Sequence, residues 1–371
     1  MEVPTLPVCS IFEMKEIIKR CYYNNLRCPV KYVPNFMGDS GIGKTEGYHE
    51  AVREIETENP DITFASITTK INQCDPTDVK GAPYYVTVGG KSKTTFALPE
   101  FLPIVNEPES GYADYTFYFP DEYNQAVPTM QNLVANVIDG TVGDVKIDPA
   151  RFMTVLAGNF PGEGFAVYDI PFNVSTRIMS FHVQPTFEEW EFFARKNDLH
   201  PTVIGFLTNF QQYFNSPSSK AGDASYPNPR VWEKVSWDLK LNNFQPSHFN
   251  LIFLQGLLGL SVGSTFYNFY QDYSENFDLN EILEKGTDSF PKHDLEFIYT
   301  VLVEISSRLT KTLANAHAKV SLNDSLHKLT KEEQMIDAFF NVLDPKDVIQ
   351  IQNIYKWLEN LQISPQIKIL L

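Results

Sequence analysis

Eight consecutive residues near the amino end form a pattern that can hold phosphate groups: Gly38, Asp39, Ser40, Gly41, Ile42, Gly43, Lys44 and Thr45. Two glycines separated by four residues, followed by Lys and Thr, are typical of a phosphate-binding loop. Glycine lets the main chain turn so that successive N–H groups face phosphate oxygens. Lys44 would place a cation on the β- and γ-phosphates, and Thr45 would hold Mg²⁺ and open a helix whose positive end faces the anion.

A second group of polar residues follows an apolar run at 115–119, about 75 residues after the loop. Asp121 would reach the carboxyl edge of a sheet, where a carboxylate can hold the water shell of Mg²⁺. Glu122 would then lie where it can polarise an attacking water. The alternative is an ordinary strand that ends at an acidic turn.

Three further side chains could complete such a site. Asn159 ends the strand pattern at 153–159, and its amide could orient the water. Arg177 could offer a planar, permanently charged fork to the nucleotide of a neighbouring subunit. Arg230 opens a helix in the second half of the chain and could reach back to the γ-phosphate. A turn asparagine and salt-bridging surface arginines are the alternatives.

Strands that alternate with helices must position these residues. An amphipathic helix over 11–28 precedes a strand over 32–37, and a helix over 46–57 follows the loop. Further strands are predicted at 62–68, 114–119 and 152–157, with a helix at 123–138. This alternation predicts a parallel α/β sheet. Residues 72–103 are predicted to form an irregular insert or short hairpin, and residues 139–148 a small hairpin.

The composition changes near residue 185, after which the chain reads almost entirely as helix. Thr186 is predicted as a helix N-cap, with Glu189 at the capping-box position. Five further helical patterns follow the loop predicted at 216–228: 230–240, 249–270, 294–318, 331–343 and 345–361. The pattern from Gly259 to Gly263 matches a nucleophile elbow, but it lies in an apolar, helix-like stretch and is interpreted as helix packing.

Together, these residues resemble the AAA+ ATPases, and among them the MoxR-like branch, over roughly residues 30–270. The loop corresponds to Walker A, Asp121 and Glu122 to Walker B, and Asn159 to sensor 1. Arg177 corresponds to the arginine finger and Arg230 to sensor 2. Two further stretches, 75–103 and 200–207, also look like this branch. The resemblance implies an AAA+ parallel-sheet, three-layer core over 1–185, an α-helical lid over 186–273, and a helical C-terminal extension over 274–371.

The resemblance also implies a function. Such proteins form rings, commonly hexamers, bind ATP and Mg²⁺ between subunits, and remodel or activate a protein partner in a chaperone-like way. The partner often carries a von Willebrand factor A-type domain, and the inserts at 72–103 and 139–148 would contact it. Two residues depart from the branch pattern: Pro120 stands directly before Asp121, and Gln125 stands where an arginine is common.

Composition limits the other possibilities. The net charge of −16 argues against sequence-independent coating of nucleic acid, which needs a basic surface. A nucleic-acid motor and a nucleotide-locked scaffold without turnover remain as alternatives. Four irregularly spaced cysteines favour reduced thiols in the cytoplasm, and scattered histidines make a catalytic zinc improbable. No signal peptide or membrane span is expected.

Overall fold

The computed structural model describes residues 6–143, 145–160, 167–216, 225–242 and 247–276. The chain divides into two compact units, one reaching Glu189 and the other beginning at Trp190. The helices predicted at 294–318, 331–343 and 345–361 lie outside the described residues, as does nearly all of the predicted extension over 274–371.

The first unit is built on parallel strands. The strands, in chain order, are β1 (Val8–Cys9), β2 (Pro34–Met37), β3 (Phe64–Lys70), β4 (Ala82–Val88), β5 (Lys91–Ala97), β6 (Tyr115–Asp121), β7 (Thr141–Val142), β8 (Val145–Lys146), β9 (Phe152–Thr154), β10 (Leu156–Gly158) and β11 (Met179–Val183). Two parallel ladders have the orders β1-β11-β2-β10 and β3-β6-β9. The predicted parallel α/β sheet is confirmed.

One strand joins the two ladders. The sequence predicts a single strand over 152–157, but the structure divides it at Val155. Its first half, β9, pairs with β6, and its second half, β10, pairs with β2. The Val155 N–H donates to the Tyr118 carbonyl at 2.9 Å. The carboxyl ends of β2, β6 and β10 therefore come to the same edge of the combined sheet.

Helices cover both faces of this sheet. In chain order they are α1 (Ile11–Asn25), α2 (Lys44–Glu58), α3 (Pro76–Lys80), α4 (Pro128–Ile138) and α5 (Phe172–Ser175). Side chains alternate along β6, because successive residues of a strand point to opposite faces. Phe117 and Phe119 pack in the cluster that contains α1 and α2, whereas Tyr118 packs in the cluster that contains α4. The unit thus has three layers.

The helix that carries the phosphate-binding pattern is fastened to its neighbour. The ring of Tyr48 on α2 stacks on Phe119 of β6, with centroids 4.1 Å apart. Along the outer side, Lys15 and Lys19 of α1 form ion pairs with Glu50, Glu54 and Glu58 of α2. The two lysines are four residues apart, and so are successive glutamates. Each set therefore lies on one face of its helix, so the two faces can pair. The ring contact thus holds the first turns of α2 against the sheet, and the ion pairs join the rest of α2 to α1.

The predicted inserts are hairpins. Strands β4 and β5 pair antiparallel, and Gly89 and Gly90 at the tip both have positive φ angles, as a two-residue hairpin turn requires. The hairpin predicted within 72–103 is therefore confirmed. Strands β7 and β8 also pair antiparallel, with Thr141 opposite Lys146.

The second unit consists of helices. They are α6 (Phe187–Lys196, which contains the boundary), α7 (Pro201–Asn209), α8 (Pro229–Leu241), α9 (His248–Leu258) and α10 (Leu260–Asn276). Trp232 is fully buried among Phe206 and Phe266, and its indole N–H donates to the Tyr213 carbonyl at 2.9 Å. None of the helices in the described ranges is long and apolar enough to cross a bilayer.

Two details of these helices and their ends correct the sequence analysis. The prediction of a single helix over 249–270 is wrong. The helix ends at Gly259, whose φ of 83° favours glycine, and a second helix begins at Leu260. The elbow-like pattern therefore lies at a helix–helix junction, without the strand that a nucleophile elbow needs. Thr186 accepts the Glu189 N–H as predicted, but the Glu189 carboxylate accepts from the Ser10 hydroxyl and the Phe12 N–H. The reciprocal half of the predicted capping box is replaced by these contacts.

Candidate nucleotide-binding site

The loop between β2 and α2 leaves main-chain donors at a helix start. Gly41 and Gly43 have φ angles of 80° and 103°, values that a residue with a Cβ adopts at a cost. Gly43 caps α2 without any side-chain hydrogen bond to the first turn. The first N–H groups of a helix have no acceptor within the helix, so a bound anion can accept hydrogen bonds from them. The loop is therefore shaped for phosphate.

The Lys44 ammonium lies inside this loop. Its side chain donates to the Gly38 carbonyl at 2.7 Å, the Asp39 carbonyl at 2.8 Å and Asn159 Oδ1 at 3.0 Å. Only 7% of Lys44 is exposed. A buried cation needs oxygen partners to offset the loss of hydration, and the loop supplies them. The side chain is thereby held at the mouth of the loop.

Thr45 and Asp121 meet across the sheet edge. The Thr45 hydroxyl donates to Asp121 Oδ2 at 3.0 Å, and Asp121 Oδ1 accepts the Glu122 N–H at 2.8 Å. A hydroxyl and a carboxylate are oxygen ligands of the kind that Mg²⁺ prefers. The two residues thus fit a magnesium site between α2 and β6.

Pro120 does not weaken the strand that carries Asp121. Even-numbered residues of β6 bond towards β9, as Thr116 and Tyr118 do. The β6–β9 pairing ends at Tyr118 and Thr154, so Pro120 lies beyond that ladder. A proline there removes no ladder hydrogen bond, which explains why this departure from the branch pattern is tolerated.

Glu122 takes a conformation that the sequence does not predict. Its φ of 55° places it in the left-handed region, directly after the strand. Its carboxylate accepts from Lys70 Nζ at 3.2 Å and from Asn72 Nδ2 at 2.7 Å. Both partners lie at or just beyond the end of β3, where Lys70 is in register with Asp121. A polar cluster after a strand is the only sequence signal for them.

A buried asparagine pair lies behind this edge. The Asn124 side chain donates to the Asn159 carbonyl at 2.7 Å and accepts the Asn159 N–H at 3.1 Å. Asn124 and Asn159 are both buried. No motif assigns a role to Asn124; its only signal is an amide side chain in a short segment that joins a strand to a helix.

Arg177 bonds outside this cluster of hydrogen bonds, and Arg230 belongs to the second unit. Arg177 follows α5 and pairs with Asp139, with Nε 2.5 Å from Oδ1, and it also donates to the Asn173 carbonyl. The Asp139 carboxylate raises the pKa of Arg177 further. Arg230 is exposed in the first turn of α8, which Asn228 caps by accepting the Val231 N–H. The structure therefore links Lys44 to Asn159, and Asp121 to Thr45 and the Glu122 N–H, while Arg177 pairs with Asp139 instead.

This chain is similar to solved structures at low sequence identity. No protein-family model and no curated protein matches this chain. Similar solved structures include a candidate ATPase from Cytophaga hutchinsonii, at 15% identity over 68% of this chain and 71% of that one, with a TM-score of 0.32. Two RuvB variants from Thermotoga maritima match at 13% and 11% identity, over 74% and 80% of this chain and 76% and 71% of theirs, with TM-scores of 0.37 and 0.31. At such scores the likeness supports no inference about activity.

Proposed function

We propose that this chain is a AAA+ ATPase of the MoxR-like kind, which couples hydrolysis of Mg-ATP to remodelling of a protein partner. The observation that carries the proposal is the set of hydrogen bonds between Lys44 and Asn159 and between Thr45 and Asp121. These bonds bring the cation of the loop, a metal-ligating pair and a polar amide to one sheet edge. This is the set of groups that phosphoryl transfer to water requires.

Each residue has a distinct role in this proposal. The N–H groups of the loop and Lys44 would bind the phosphates, and Thr45 and Asp121 would hold Mg²⁺. When bound, Mg²⁺ neutralises charge on the phosphate oxygens. Glu122 would accept a proton from the attacking water, and Asn159 would orient that water. Hydrogen bonds already join four of these five side chains in two pairs, Lys44 with Asn159 and Thr45 with Asp121. This lowers the cost of organising them during the reaction.

The assembly and the partner are further parts of the proposal. Arg177 would exchange its exposed pair with Asp139 for the nucleotide of a neighbouring subunit in a hexameric ring, and Arg230 would report the nucleotide state to the helical lid. The β4–β5 hairpin exposes Tyr85 and carries Lys91 and Lys93, which suits it to contact a client. We propose a client with a von Willebrand factor A-type domain and a cytoplasmic location.

Hydrolysis assays with three variants test the core of this proposal. Lys44→Ala removes the loop cation, so ATP binding measured by calorimetry should be abolished. Glu122→Gln keeps binding but removes the base, so turnover should fall about a thousandfold. Lys80→Ala is the matched control: it removes a half-buried cation on α3 that lies over the Phe96 ring, and it should leave both quantities unchanged. Normal turnover in Glu122→Gln would show that the base is assigned wrongly.

Two other outcomes would point to the remaining functions. Turnover stimulated by DNA, with a steep salt dependence, would identify a nucleic-acid motor instead. Nucleotide-dependent assembly without turnover, even with a von Willebrand A-type partner present, would identify a scaffold.

A further inference from the structure

Asn124 imitates a neighbouring strand at the point where β10 ends. Its side-chain amide donates to the Asn159 carbonyl and accepts the Asn159 N–H, at 2.7 and 3.1 Å. These are the two main-chain bonds that a paired strand would make with that residue. Since both groups are buried, losing them would leave an unsatisfied donor and acceptor. The main chain at Asn159 is therefore held by one side chain.

Gly158 makes this approach possible. A Cβ at Gly158 would lie 2.5 Å from Asn124 Oδ1 and 3.0 Å from its Cγ. Real Cβ atoms do not come so close to other heavy atoms, so any larger residue would push the amide away. The need for glycine here is steric, since Gly158 is not among the glycines with positive φ.

The two hydrogen bonds from the Asn124 side chain to the main chain of Asn159, called the clamp below, connect the two sides of the candidate site. Asn124 lies two residues after Glu122, in a tight turn closed by the Gln125 N–H donating to the Glu122 carbonyl at 2.9 Å. On the other side, Asn159 Oδ1 accepts from Lys44 Nζ at 3.0 Å. A continuous series of short contacts thus runs from the proposed base, through Asn124 and Asn159, to the loop cation.

We propose that Asn124 is a positioning residue for ATP turnover, one that fixes Asn159 and so sets the place of the Lys44 ammonium relative to Glu122. This inference rests on the proposed function. Asn124 does not touch substrate in this account; it acts through Asn159. A displacement of about 1 Å at a reacting group can cost roughly a hundredfold in rate, so a loosened clamp should lower kcat far more than it lowers affinity.

The test compares kcat and nucleotide affinity in three variants of the full chain. Asn124→Ala removes both bonds, Asn124→Asp places a carboxylate against the Asn159 carbonyl, and Gly158→Ala displaces the amide from the other side. At pH 8 each should lower kcat by about a hundredfold. The dissociation constant of an ATP analogue should change by less than about threefold, because the loop and Lys44 remain.

A pH titration separates positioning from general damage. When Asn124→Asp is protonated, its carboxyl group can again donate to the Asn159 carbonyl and accept the Asn159 N–H. A buried carboxyl group next to a carbonyl favours the neutral form. The kcat of Asn124→Asp relative to wild type should therefore recover about tenfold between pH 8 and pH 6.

Gln131→Met is the matched control. Gln131 is fully buried in the helix that follows, and it donates to the Ala126 carbonyl at 2.9 Å without contacting Asn159. If Asn124→Ala and Asn124→Asp lose no more kcat than Gln131→Met at equal melting temperature, the positioning role is refuted while the ATPase assignment stands. If the wild-type chain hydrolyses no ATP, the proposed function fails, and this inference fails with it.

Discussion

The two sides of the candidate site differ in burial. On the loop side, Lys44, Asn159 and Asn124 are all buried and bond to one another in series. On the acidic side, the Glu122 side chain is 24% exposed and bonds to Lys70, which is 52% exposed. The Arg177 side chain is 37% exposed. The side chains on the loop side thus find buried partners within one unit of one chain, whereas those on the acidic side are partly exposed to solvent.

This difference in burial separates side chains whose partners are fixed by folding from side chains that can change partners on binding. A buried polar group without a partner is costly, so folding itself selects the arrangement of Lys44, Asn159 and Asn124. An exposed ion pair contributes little to stability and can be exchanged for another partner. Under the proposed function, side chains on the acidic side would be available to a neighbouring subunit or a client, while the loop side would be set before nucleotide binds.

The largest effect expected from this contrast concerns Arg177. Arg177→Ala breaks an exposed pair with Asp139 and an exposed hydrogen bond to the Asn173 carbonyl, so the melting temperature should change little. If Arg177 serves a neighbour's nucleotide, turnover should nevertheless fall by roughly a thousandfold. The measurement is ATP hydrolysis by the assembled protein.

Mixing variants shows whether Arg177 acts between subunits. Arg177→Ala and Glu122→Gln chains are each inactive alone, but a mixed ring would contain interfaces with an intact Glu122 on one side and an intact Arg177 on the other. Turnover in the mixture should exceed that of either variant. A mixture that stays inactive, in rings shown to exchange subunits, would contradict this role of Arg177.

The second unit offers a half-buried histidine, His200, whose protonation tests the same rule. Loss of hydration, and to a smaller extent Lys240, lower the pKa of His200 to about 4, while Asp198 opposes the shift. His200 Nδ1 accepts the Thr202 N–H at the start of α7, which requires an unprotonated Nδ1. Because the pKa in the unfolded chain is about 6.5, only the unfolded chain binds the proton between these values. Stability should be full above about pH 6.5 and fall by about 3 kcal/mol as the pH drops to 4.

Urea unfolding across this pH range measures the effect. His200→Asn can still accept the Thr202 N–H but does not titrate, so the pH dependence of its stability should be weaker by that amount. Equal pH dependence in the two proteins would show that His200 is not responsible.

A smaller effect is expected from Gly38 on the loop side. A Cβ at Gly38 would lie 2.7 Å from the Val183 carbonyl oxygen and 2.8 Å from Ile42 Cδ1. Because one of these atoms belongs to the main chain, the loop must shift, and Gly38→Ala should destabilise the first unit by about 2 kcal/mol. Denaturant unfolding measures this change.

Gly256→Ala in α9 is the control for Gly38→Ala. A Cβ there meets nothing within 4 Å, and alanine favours a helix more than glycine does. Its stability should stay the same or rise. If both variants destabilise equally, the close packing of the loop is not the cause.

The loop and the acidic pair could be predicted from sequence because their signals are local. Glycine spacing dictates the turn before Lys44, and an apolar strand must end before Asp121. The parallel sheet follows from alternating patterns in the same way. These features need no knowledge of which segments meet in space.

The features that could not be predicted depend on distant contacts. The apolar run through Gly259 has no polar interruption strong enough to predict a break between two helices. The contact of Asn124 with Asn159 joins residues 35 positions apart, and the bonds of Glu122 to Lys70 and Asn72 join residues about 50 positions apart. Which side chain satisfies a buried donor is decided by the packed structure, since any nearby amide could do so.

The division of one strand at Val155 has a mechanical consequence. Strand β9 belongs to the ladder that presents the carboxylates, and β10 belongs to the ladder that presents the phosphate loop. Sliding one ladder along the other would have to stretch the covalent chain between Thr154 and Leu156, a span of at most about 7 Å. Covalent bonds yield far less than hydrogen bonds do. The backbone itself thus keeps the distance between the loop that follows β2 and the carboxylates that follow β6. A force applied to either ladder is therefore transmitted to the other with little loss.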